Sequence, residues 1–379
     1  MTSTLTSLFG FSTSISSNSE GGSSFARDLL YQDQQDAMHR RALHEQHLIT
    51  KGGIQTMKEL LASKFVPSKP KSGTGFGGGS SSVNKDPAAR MALEQADVIR
   101  REGVLRINNV ISNETADNLR VYILEQQQLA KTETDKDVST SRTYYGVENR
   151  RKCRTDLQLS LLRGGFASYL TPAGDENFKE GISSSKTFPL GDALQEMLGH
   201  DGTLRSLFEA LVTLDGELYE LAAVVTDKGS DRQMVHPDLP YQENAPLYVI
   251  FLALQDVTEG MGPTSFLLRT NTGIENAIFS SGDMERKNEQ LSRADCRIST
   301  LRKGDAVLFD ARVLHCGNSN NEQTRVLFNY SFRNPQVVGS LGYKGSIRPC
   351  YEEAMTLRDL ADALDAYKLG DNDPFAKYN

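Results

Sequence analysis

Short strand-forming segments separated by turn residues fill the chain from residue 218 to residue 332, and they limit the fold more than any other feature. Some are apolar on both faces, as in a strand that is covered on both sides, and others alternate between apolar and polar residues. Several short strands with turn signals between them predict a β-sandwich or a barrel. The segments are Leu218–Val225, Gln233–Asp238, Leu247–Leu254, Arg297–Leu301, Ala306–Asp310 and Arg325–Phe332.

The composition argues against several classes of partner. The 379 residues carry a formal net charge of −7. With a pI near 5.5, neither nucleic acid nor an anionic membrane is expected as the main partner. No apolar run reaches the roughly 18 residues that a membrane span needs. The four cysteines lie far apart without a C-x-x-C pair, which favours reduced thiols in an intracellular protein over disulfides or a structural zinc site.

The first 85 residues are expected to lie outside the folded domain. Residues 1 to about 30 are rich in Ser, Thr and Gly, a composition that predicts disorder, and the polar residues 27–65 are expected to form one or two solvated helices. A transit peptide is the alternative, although Arg is nearly absent. Residues 68–85 have the Gly and Ser content of a flexible linker. We therefore divide the chain into an extension (1–85), a folded domain (86–345) and a C-terminal helix with a tail (346–379). We expect the protein to be cytoplasmic, and the extension leaves a plastid, mitochondrial or peroxisomal location as the alternative.

Helical patterns surround the strands. Residues 87–101 have one, and Ser112 is the expected N-cap of a second helix. Residues 188–214 are helical with a break at Gly199–Gly202, and residues 352–369 form an amphipathic pattern near the C-terminus. Residues 131–151, 162–186 and 271–293 are expected to be variable loops. Together the patterns predict an α+β fold.

His236 and Asp238 are candidate metal ligands. In extended backbone two such residues point the same way, so both side chains can bind one ion. Of the six histidines, only His236 and His315 lie in the strand-rich region, and His315 comes after an apolar strand. Two His and one carboxylate with the remaining positions open form the facial triad of non-haem Fe(II) oxygenases. An isolated H-x-D is common by chance, so the pattern requires support from its surroundings.

Arg325 supplies such support. Within residues 325–332, Val326, Phe328, Tyr330 and Phe332 share one face of the strand, and Arg325 lies on the other, more polar face. An Arg in this place beside a metal ligand is costly unless it meets an anion. Because guanidinium binds carboxylate through two parallel hydrogen bonds, a dicarboxylate co-substrate fits. The alternative is a rim Arg that pairs with a surface acid.

The spacing of several motifs resembles the phytanoyl-CoA dioxygenase family over roughly residues 90–335. The quoted motifs are Gly229-Ser230-x-x-Gln233-x-x-His236-x-Asp238, Ala253-Leu254-Gln255-Asp256-Val257-Thr258, Gly262-Pro263-Thr264-Ser265-Phe266-Leu267 and Lys303-Gly304-Asp305-Ala306-Val307-Leu308-Phe309-Asp310, followed by His315 and Arg325. The resemblance implies a double-stranded β-helix (a jelly-roll, cupin-like core) with helices packed on one side. It also implies an oxygenase dependent on Fe(II) and 2-oxoglutarate.

Carried over residue by residue, the resemblance implies His236, Asp238 and His315 as iron ligands and Arg325 as the residue that binds the distal carboxylate of 2-oxoglutarate. Related halogenases have a small residue at the position of Asp238, so the carboxylate favours oxygen insertion. The chain departs from the family pattern at Phe251, where a Trp is frequent. It departs again at residues 268–271, which read Leu-Arg-Thr-Asn in place of Pro-Gly-Ser/Thr-His.

Four further residues are weaker candidates, and Cys316 is weighed as a metal ligand. Gln233 and Phe251 are predicted to contact the co-substrate, with a bland hydrogen-bonding role as the alternative for Gln233. Arg154 and Asp156 either line the mouth of the substrate pocket or form a structural ion pair. Cys316 follows His315 directly and should point to the opposite side, so a core role is favoured.

The expected reaction is hydroxylation of an aliphatic C–H bond of a small molecule with dioxygen, releasing succinate and CO2, with ascorbate as a supporting reductant. Two alternatives remain open: a non-catalytic β-helix protein with an interaction or regulatory role, and another metal-dependent cupin-type enzyme. Arg325 discriminates against the second, because such an enzyme has no need of a dicarboxylate-binding residue. The sequence names neither the substrate nor the oligomeric state.

Overall fold

The computed structural model describes residues 87–136, 153–159, 161, 188–337, 341 and 354–368. The predicted extension (1–85) and the predicted loop at 162–186 lie outside these residues. Seven α-helices are described: α1 (Pro87–Glu102), α2 (Asn113–Lys136), α3 (Pro189–Leu198), α4 (Arg205–Val212), α5 (Gly273–Ser280), α6 (Met284–Arg293) and α7 (Leu357–Lys368).

The described strands form two antiparallel sheets. They are β1 (Val104–Ile107), β2 (Arg154–Gln158), β3 (Glu217–Thr226), β4 (Leu247–Ala253), β5 (Thr264–Leu267), β6 (Cys296–Ile298), β7 (Ala306–Asp310), β8 (His315–Gly317) and β9 (Arg325–Arg333). The large sheet has the order β1-β7-β4-β9-β3-β2, and the small sheet has the order β6-β5-β8. Mixed helices and antiparallel sheets confirm the predicted α+β class.

Strand β9 shows how the alternating sequence divides the core. Val326, Phe328, Tyr330 and Phe332 point to the outer face of the large sheet, where they pack in one apolar cluster with residues of α1, α3, α4 and α7. The opposite face of the sheet contributes Leu327 to a second cluster, which includes Phe266 of β5. We call this face, which turns toward the small sheet, the inner face. The sequence-predicted division of β9 into two faces is confirmed.

Several helix ends follow from local side-chain capping. The Ser112 Oγ accepts a hydrogen bond from the Thr115 backbone N–H at 3.1 Å, as predicted for an N-cap. Helix α7 begins after a reciprocal pair: Thr356 Oγ1 accepts from the Asp359 N–H, and Asp359 Oδ2 accepts from the Thr356 N–H. Leu357, Leu360 and Leu364 of α7 are fully buried in the main cluster, so this C-terminal helix packs as part of the folded core.

Three predicted segments differ from the structure. Residues 131–136 belong to helix α2 and not to a loop, while 137–151 lie outside the described residues. Residues 271–293 hold helices α5 and α6, which pack against the outer side of the small sheet through Leu291. The predicted strand at 233–238 pairs through a single bridge at His236, and beyond it the N–H groups of Asp238 and Leu239 both donate to the Ala311 carbonyl.

Candidate metal and co-substrate site

The backbone itself brings the two candidate histidines together. His236 and His315 form an isolated antiparallel bridge, in which the N–H of each donates to the carbonyl oxygen of the other at 2.9 Å. Directly paired residues point to the same face of a sheet. The two imidazole rings consequently lie side by side, with centroids 4.7 Å apart.

Asp238 completes a group that we call the His/Asp cluster (His236, Asp238 and His315). The Asp238 N–H donates to the Ala311 carbonyl at 2.9 Å, and this bond turns the carboxylate back toward the rings. Asp238 Oδ1 lies 3.5 Å from His315 Nε2 and 3.8 Å from His236 Nε2. All candidate ligand atoms of the cluster lie within 4.8 Å of one another. Ligand atoms about 2.1 Å from one ion stand about 3 Å apart at right angles, so small side-chain rotations suffice to bind a metal.

Hydrogen bonds to the backbone select the tautomer that a metal requires. His236 Nδ1 lies 2.7 Å from the Met234 carbonyl oxygen, and His315 Nδ1 lies 3.0 Å from that of Val313. A carbonyl oxygen only accepts, so each Nδ1 carries a proton, and in the neutral form of each ring the Nε2 keeps its lone pair. Metal-bound histidines are commonly oriented in this way.

The electrostatics of the cluster favour the neutral ring for His236 and the protonated ring for His315. Burial together with the charge of His315 lowers the pKa of His236, which favours the neutral imidazole. Burial alone would raise the pKa of Asp238, but His315, through its charge and a hydrogen bond, outweighs it and lowers that pKa. For His315 burial acts to lower the pKa, and the charge and hydrogen bond of Asp238 raise it overall. The carboxylate is thus ionised and pairs with His315 until a cation displaces the proton.

Aromatic side chains surround the His315 ring. The Phe266 ring stacks on it with a centroid distance of 5.7 Å, and the Phe309 ring lies 5.1 Å away. Phe251 of β4 contacts Phe309 in turn, at 5.1 Å between centroids. The predicted co-substrate residue Phe251 is thus one ring removed from His315 and remains half-buried on the inner face.

Arg325 begins strand β9 on the inner face and is only 3% exposed. Its Nη1 donates to the carbonyl oxygen of Gly262, whose left-handed backbone (φ 70°) leaves no room for a side chain beside Asn318. The Arg325 Nε has no hydrogen-bond partner, and no carboxylate within the described part of the chain forms an ion pair with this guanidinium. Burial, with a contribution from the charge of Arg154, lowers its pKa to about 9.

Gln233 holds the ligand-bearing segment onto strand β8. The side-chain Oε1 of Gln233 accepts from the Gly317 backbone N–H at 2.9 Å, and the backbone N–H of Gln233 donates to the Gly317 carbonyl at 2.8 Å. A side chain at position 317 would collide with this amide, since a Cβ there would lie 2.7 Å from Oε1. The bond occupies the Gln233 oxygen, so the co-substrate contact predicted from the sequence has only the amide nitrogen available to it.

Arg154 and Asp156 form an ion pair on strand β2, with Arg154 Nη2 2.9 Å from Asp156 Oδ1. Both side chains keep some exposure, and the charge of Arg154 helps to lower the pKa of each member of the His/Asp cluster. Of the two sequence alternatives the structure shows the ion pair, and the pocket-lining role stays a prediction. Cys316 points the other way, into a buried group with Val235 and Leu314, as predicted for a core residue.

Two functional features of the site were missed in the sequence. Arg312 and Asp310, just ahead of His315, form a buried ion pair with 2.6 Å between Nη2 and Oδ2. Asn329, four residues after Arg325, lies buried on the inner face with its Oδ1 unpartnered. The alternation of residues 325–332 was a usable signal for Asn329, because it placed this amide on the same face as Arg325.

The family of the chain follows from a sequence comparison over this same region. The family model described as phytanoyl-CoA dioxygenase (PhyH) matches residues 99–325, which is more than half of the 379 residues. The chain belongs to the phytanoyl-CoA dioxygenase family. Family membership confirms the predicted reaction class and cofactors, an oxygenase that depends on Fe(II) and 2-oxoglutarate. No curated protein shows significant sequence similarity to the chain.

Solved structures similar to this family member are distant from it in sequence. The non-haem α-ketoglutarate-dependent epimerase SnoN from nogalamycin biosynthesis is 14% identical, with 72% of this chain and 100% of that chain covered and a TM-score of 0.44. The carbocyclase SnoK from the same biosynthesis is 15% identical, with 72% of this chain and 99% of that chain covered and a TM-score of 0.40. HygX from Streptomyces hygroscopicus, solved with nickel and 2-oxoglutarate bound, is 13% identical, with 69% of this chain and 96% of that chain covered and a TM-score of 0.40. Among the described residues, no helix is long and apolar enough to cross a bilayer.

Proposed function

We propose that His236, Asp238 and His315 bind the Fe(II) and that Arg325 binds the distal carboxylate of 2-oxoglutarate. The protein then hydroxylates an aliphatic C–H bond of a small-molecule substrate and releases succinate and CO2. The observation that carries this proposal is the buried Arg325, whose Nε has no hydrogen-bond partner. Arg325 lies on the inner face of the large sheet, which turns toward the small sheet that bears His315. A buried guanidinium without an acid is costly, and a bound dicarboxylate removes that cost.

The chain's own residues have separate tasks in this reaction. The two Nε2 atoms and the Asp238 carboxylate offer ligand atoms from one side, leaving the other side open for co-substrate and dioxygen. Arg325 fixes the far end of 2-oxoglutarate, and Gly262 fixes the guanidinium. Phe266 and Phe309 exclude water around His315, which limits wasteful side reactions.

When bound, Fe(II) with 2-oxoglutarate and dioxygen supplies the oxidation: one oxygen atom enters succinate as CO2 leaves, and the other enters the substrate C–H bond. The protein itself contributes binding and orientation. Asp238 matters here for its space as well as its charge, because the carboxylate fills a position at which a smaller residue would leave room for another anion.

Succinate formation tests the proposal without knowledge of the substrate. Purified protein with Fe(II), ascorbate, 2-oxoglutarate and air is expected to release succinate slowly in the absence of a substrate, because co-substrate turnover is partly uncoupled. His236→Ala should reduce the release to the level measured without protein. His200→Ala is the matched control, because the side chain of His200 is 55% exposed and contacts Asp362 away from the site.

Two results would contradict the proposal. One is a wild-type protein that releases no succinate above the protein-free mixture and binds neither Fe(II) nor 2-oxoglutarate. The other is a His236→Ala variant as active as the His200→Ala control. The first result would favour a non-catalytic role for the fold, and the second would move the metal site elsewhere.

A further inference from the structure

The register of the large sheet places Arg154 and Arg325 on one face of the protein. Arg154 pairs directly with Thr226, and Thr226 pairs directly with Arg325. Directly paired residues share a face, so both guanidiniums belong to the inner face. They lie two strands apart, which corresponds to about 10 Å between their backbones. The Arg154–Asp156 pair therefore borders the same space as the residue proposed to bind 2-oxoglutarate.

The Arg154–Asp156 pair lies at an edge of the sheet and stays partly open. Strand β2 is the terminal strand of the large sheet. The Arg154 Nε and Nη2 donate to Asp156 Oδ1 at 3.0 and 2.9 Å, and the side chains are 22% and 15% exposed. Asp156 pairs directly with Val224 of β3, and Val224 pairs with Leu327 of β9. The ion pair therefore has apolar neighbours on the same face of the sheet. A charged pair in such a place offers a donor set and an acceptor set to a bound molecule.

Asn329 adds an acceptor near the metal end of the inner face. It pairs with Ala222 on one side and Phe251 on the other, and Ala222 pairs with Gln158. Asn329 is 4% exposed, and its Oδ1 has no hydrogen-bond partner. The Phe251 ring contacts Phe309, which contacts His315, so this row borders the His/Asp cluster. A buried acceptor without a donor costs folding free energy unless something binds it.

From this arrangement we propose that the substrate is a polar small molecule. Its hydroxyl or N–H groups bind Asn329 and the Arg154–Asp156 pair, and it is not an unfunctionalised acyl chain. This rests on the proposed function and assigns the substrate class of that same site. A hydrocarbon laid against these side chains would remove the Arg154–Asp156 pair from water and would leave the buried Asn329 Oδ1 without a donor. A site with buried polar groups rejects ligands that lack the matching groups far more strongly than an apolar site rejects extra ones.

The experiment uses metabolites extracted from the cells that make the protein. The extract is passed over a reversed-phase column, which retains acyl chains and acyl-CoA thioesters and lets polar small molecules through. Each fraction is added to protein with Fe(II), ascorbate and 2-oxoglutarate. We expect the unretained fraction to raise succinate release above the uncoupled rate and the retained fraction to leave it unchanged.

Variants tie the effect to the named residues. Asn329→Leu removes the acceptor at similar size, and the double variant Arg154→Gln/Asp156→Asn removes both charges without leaving either one unpaired. Each should reduce the stimulation, measured as a ratio to the variant's own uncoupled rate, by about tenfold or more, as expected for the loss of a hydrogen bond to a polar substrate. The matched control is Arg90→Gln/Glu94→Gln, an exposed ion pair on α1.

Thermal unfolding of the metal-free protein gives a readout apart from activity. Asn329→Leu should raise the unfolding temperature by a few degrees, because it removes an unpartnered buried acceptor. A structural hydrogen-bonding residue would instead lower it. The proposal is overturned if stimulation comes from the retained fraction or from neither fraction, or if the variants keep it. It is also overturned if Asn329→Leu raises the KM for 2-oxoglutarate tenfold, which would make Asn329 a co-substrate residue. If the wild type also fails to release uncoupled succinate, the proposed function falls as well.

Discussion

Arg325 is a residue at which stability and ligand binding oppose each other. Its guanidinium is buried at the start of β9, donates to the Gly262 carbonyl and forms no ion pair with a carboxylate among the described residues. An unpaired buried charge costs several kcal/mol, and a bound 2-oxoglutarate offsets that cost. In the metal-free protein the buried Arg325 charge therefore lowers the free energy of unfolding, and the proposed binding of 2-oxoglutarate would remove this cost.

Replacing Arg325 should separate these two effects. Arg325→Met is expected to weaken 2-oxoglutarate binding about 100-fold, in line with the 2–5 kcal/mol typical of a buried charge pair, without lowering the unfolding temperature of the metal-free protein. Arg325→Lys keeps the charge but loses the two-pronged geometry, so a loss of about tenfold is expected. Calorimetric titration of 2-oxoglutarate into Mn(II)-loaded protein measures both.

The control for this comparison is Arg333→Met, at the other end of the same strand, where the guanidinium has Glu217 3.8 Å away. Its 2-oxoglutarate affinity should match the wild type. Arg325→Met that binds 2-oxoglutarate as tightly as Arg333→Met would contradict the assignment of Arg325.

How far single residues could be predicted differed with the kind of signal they leave. The resemblance supplied His236, Asp238, His315 and Arg325, and the structure brings the first three within 4.8 Å of one another. Arg312 carries no such signal, because an Arg two residues from an Asp is common in any sequence. The burial of this pair and its hydrogen bonds to residues 242 and 243 appear only in the structure.

At the scale of elements, the turn between β7 and β8 organises the ligands. Arg312 Nε donates to both Asp310 oxygens, at 3.0 and 3.1 Å, and its Nη1 donates to the carbonyls of Gln242 and Glu243 at 2.6 and 2.9 Å. The Asp310 interaction outweighs burial and raises the pKa of Arg312. This network joins the segment after Asp238 to the segment before His315 and so fixes the distance between the two ligands.

Breaking the Arg312–Asp310 pair should therefore affect both stability and metal binding. Arg312→Met leaves Asp310 as an uncompensated buried charge, so we expect a loss of about 3–5 kcal/mol in the free energy of unfolding. The apparent affinity for Fe(II) or Mn(II) should fall by about tenfold, as is typical when a residue that orients ligands is lost. Urea unfolding and metal titration of the variant provide the two measurements.

The double variant Asp310→Asn/Arg312→Met is the control for the unpaired charge. It should recover a good part of the stability but not the metal affinity, because the link to residues 242–243 stays broken. If Arg312→Met binds metal as well as the wild type, the network has a role in stability alone.

Helices α5 and α6 show which elements the sequence hid and why. The hydrophobic pattern of residues 271–293 is weak, which favoured a loop, yet each helix has an N-cap that was legible. Thr272 accepts from the Glu275 N–H, and Asp283 accepts from the N–H groups of Glu285 and Arg286. Strands β5 and β8 were missed because four and three residues are too few for an alternation to register.

For the molecule as a whole, the site exists only when both sheets are in place. The proposed ligands His236 and Asp238 precede β4, His315 begins β8 of the small sheet, and Arg325 begins β9 of the large sheet. Their separation along the chain means that spacing alone could not bring them together, so the H-x-D pattern and the strand context of His315 and Arg325 suggested the group and the family resemblance supported it. The main apolar core, by contrast, followed from the alternation of β9 and the helical patterns.

The central claim is that His236, Asp238 and His315 hold one metal ion that in turn enables 2-oxoglutarate to bind at Arg325. Anaerobic titration calorimetry, first with Fe(II) and then with 2-oxoglutarate, tests it most directly. The wild type is expected to bind one equivalent of each, with 2-oxoglutarate binding weakly or not at all before iron is added. His236→Ala should lose both steps, and His200→Ala should keep both. Equal binding of iron by wild type and His236→Ala, or tight 2-oxoglutarate binding that is indifferent to iron, would contradict the claim.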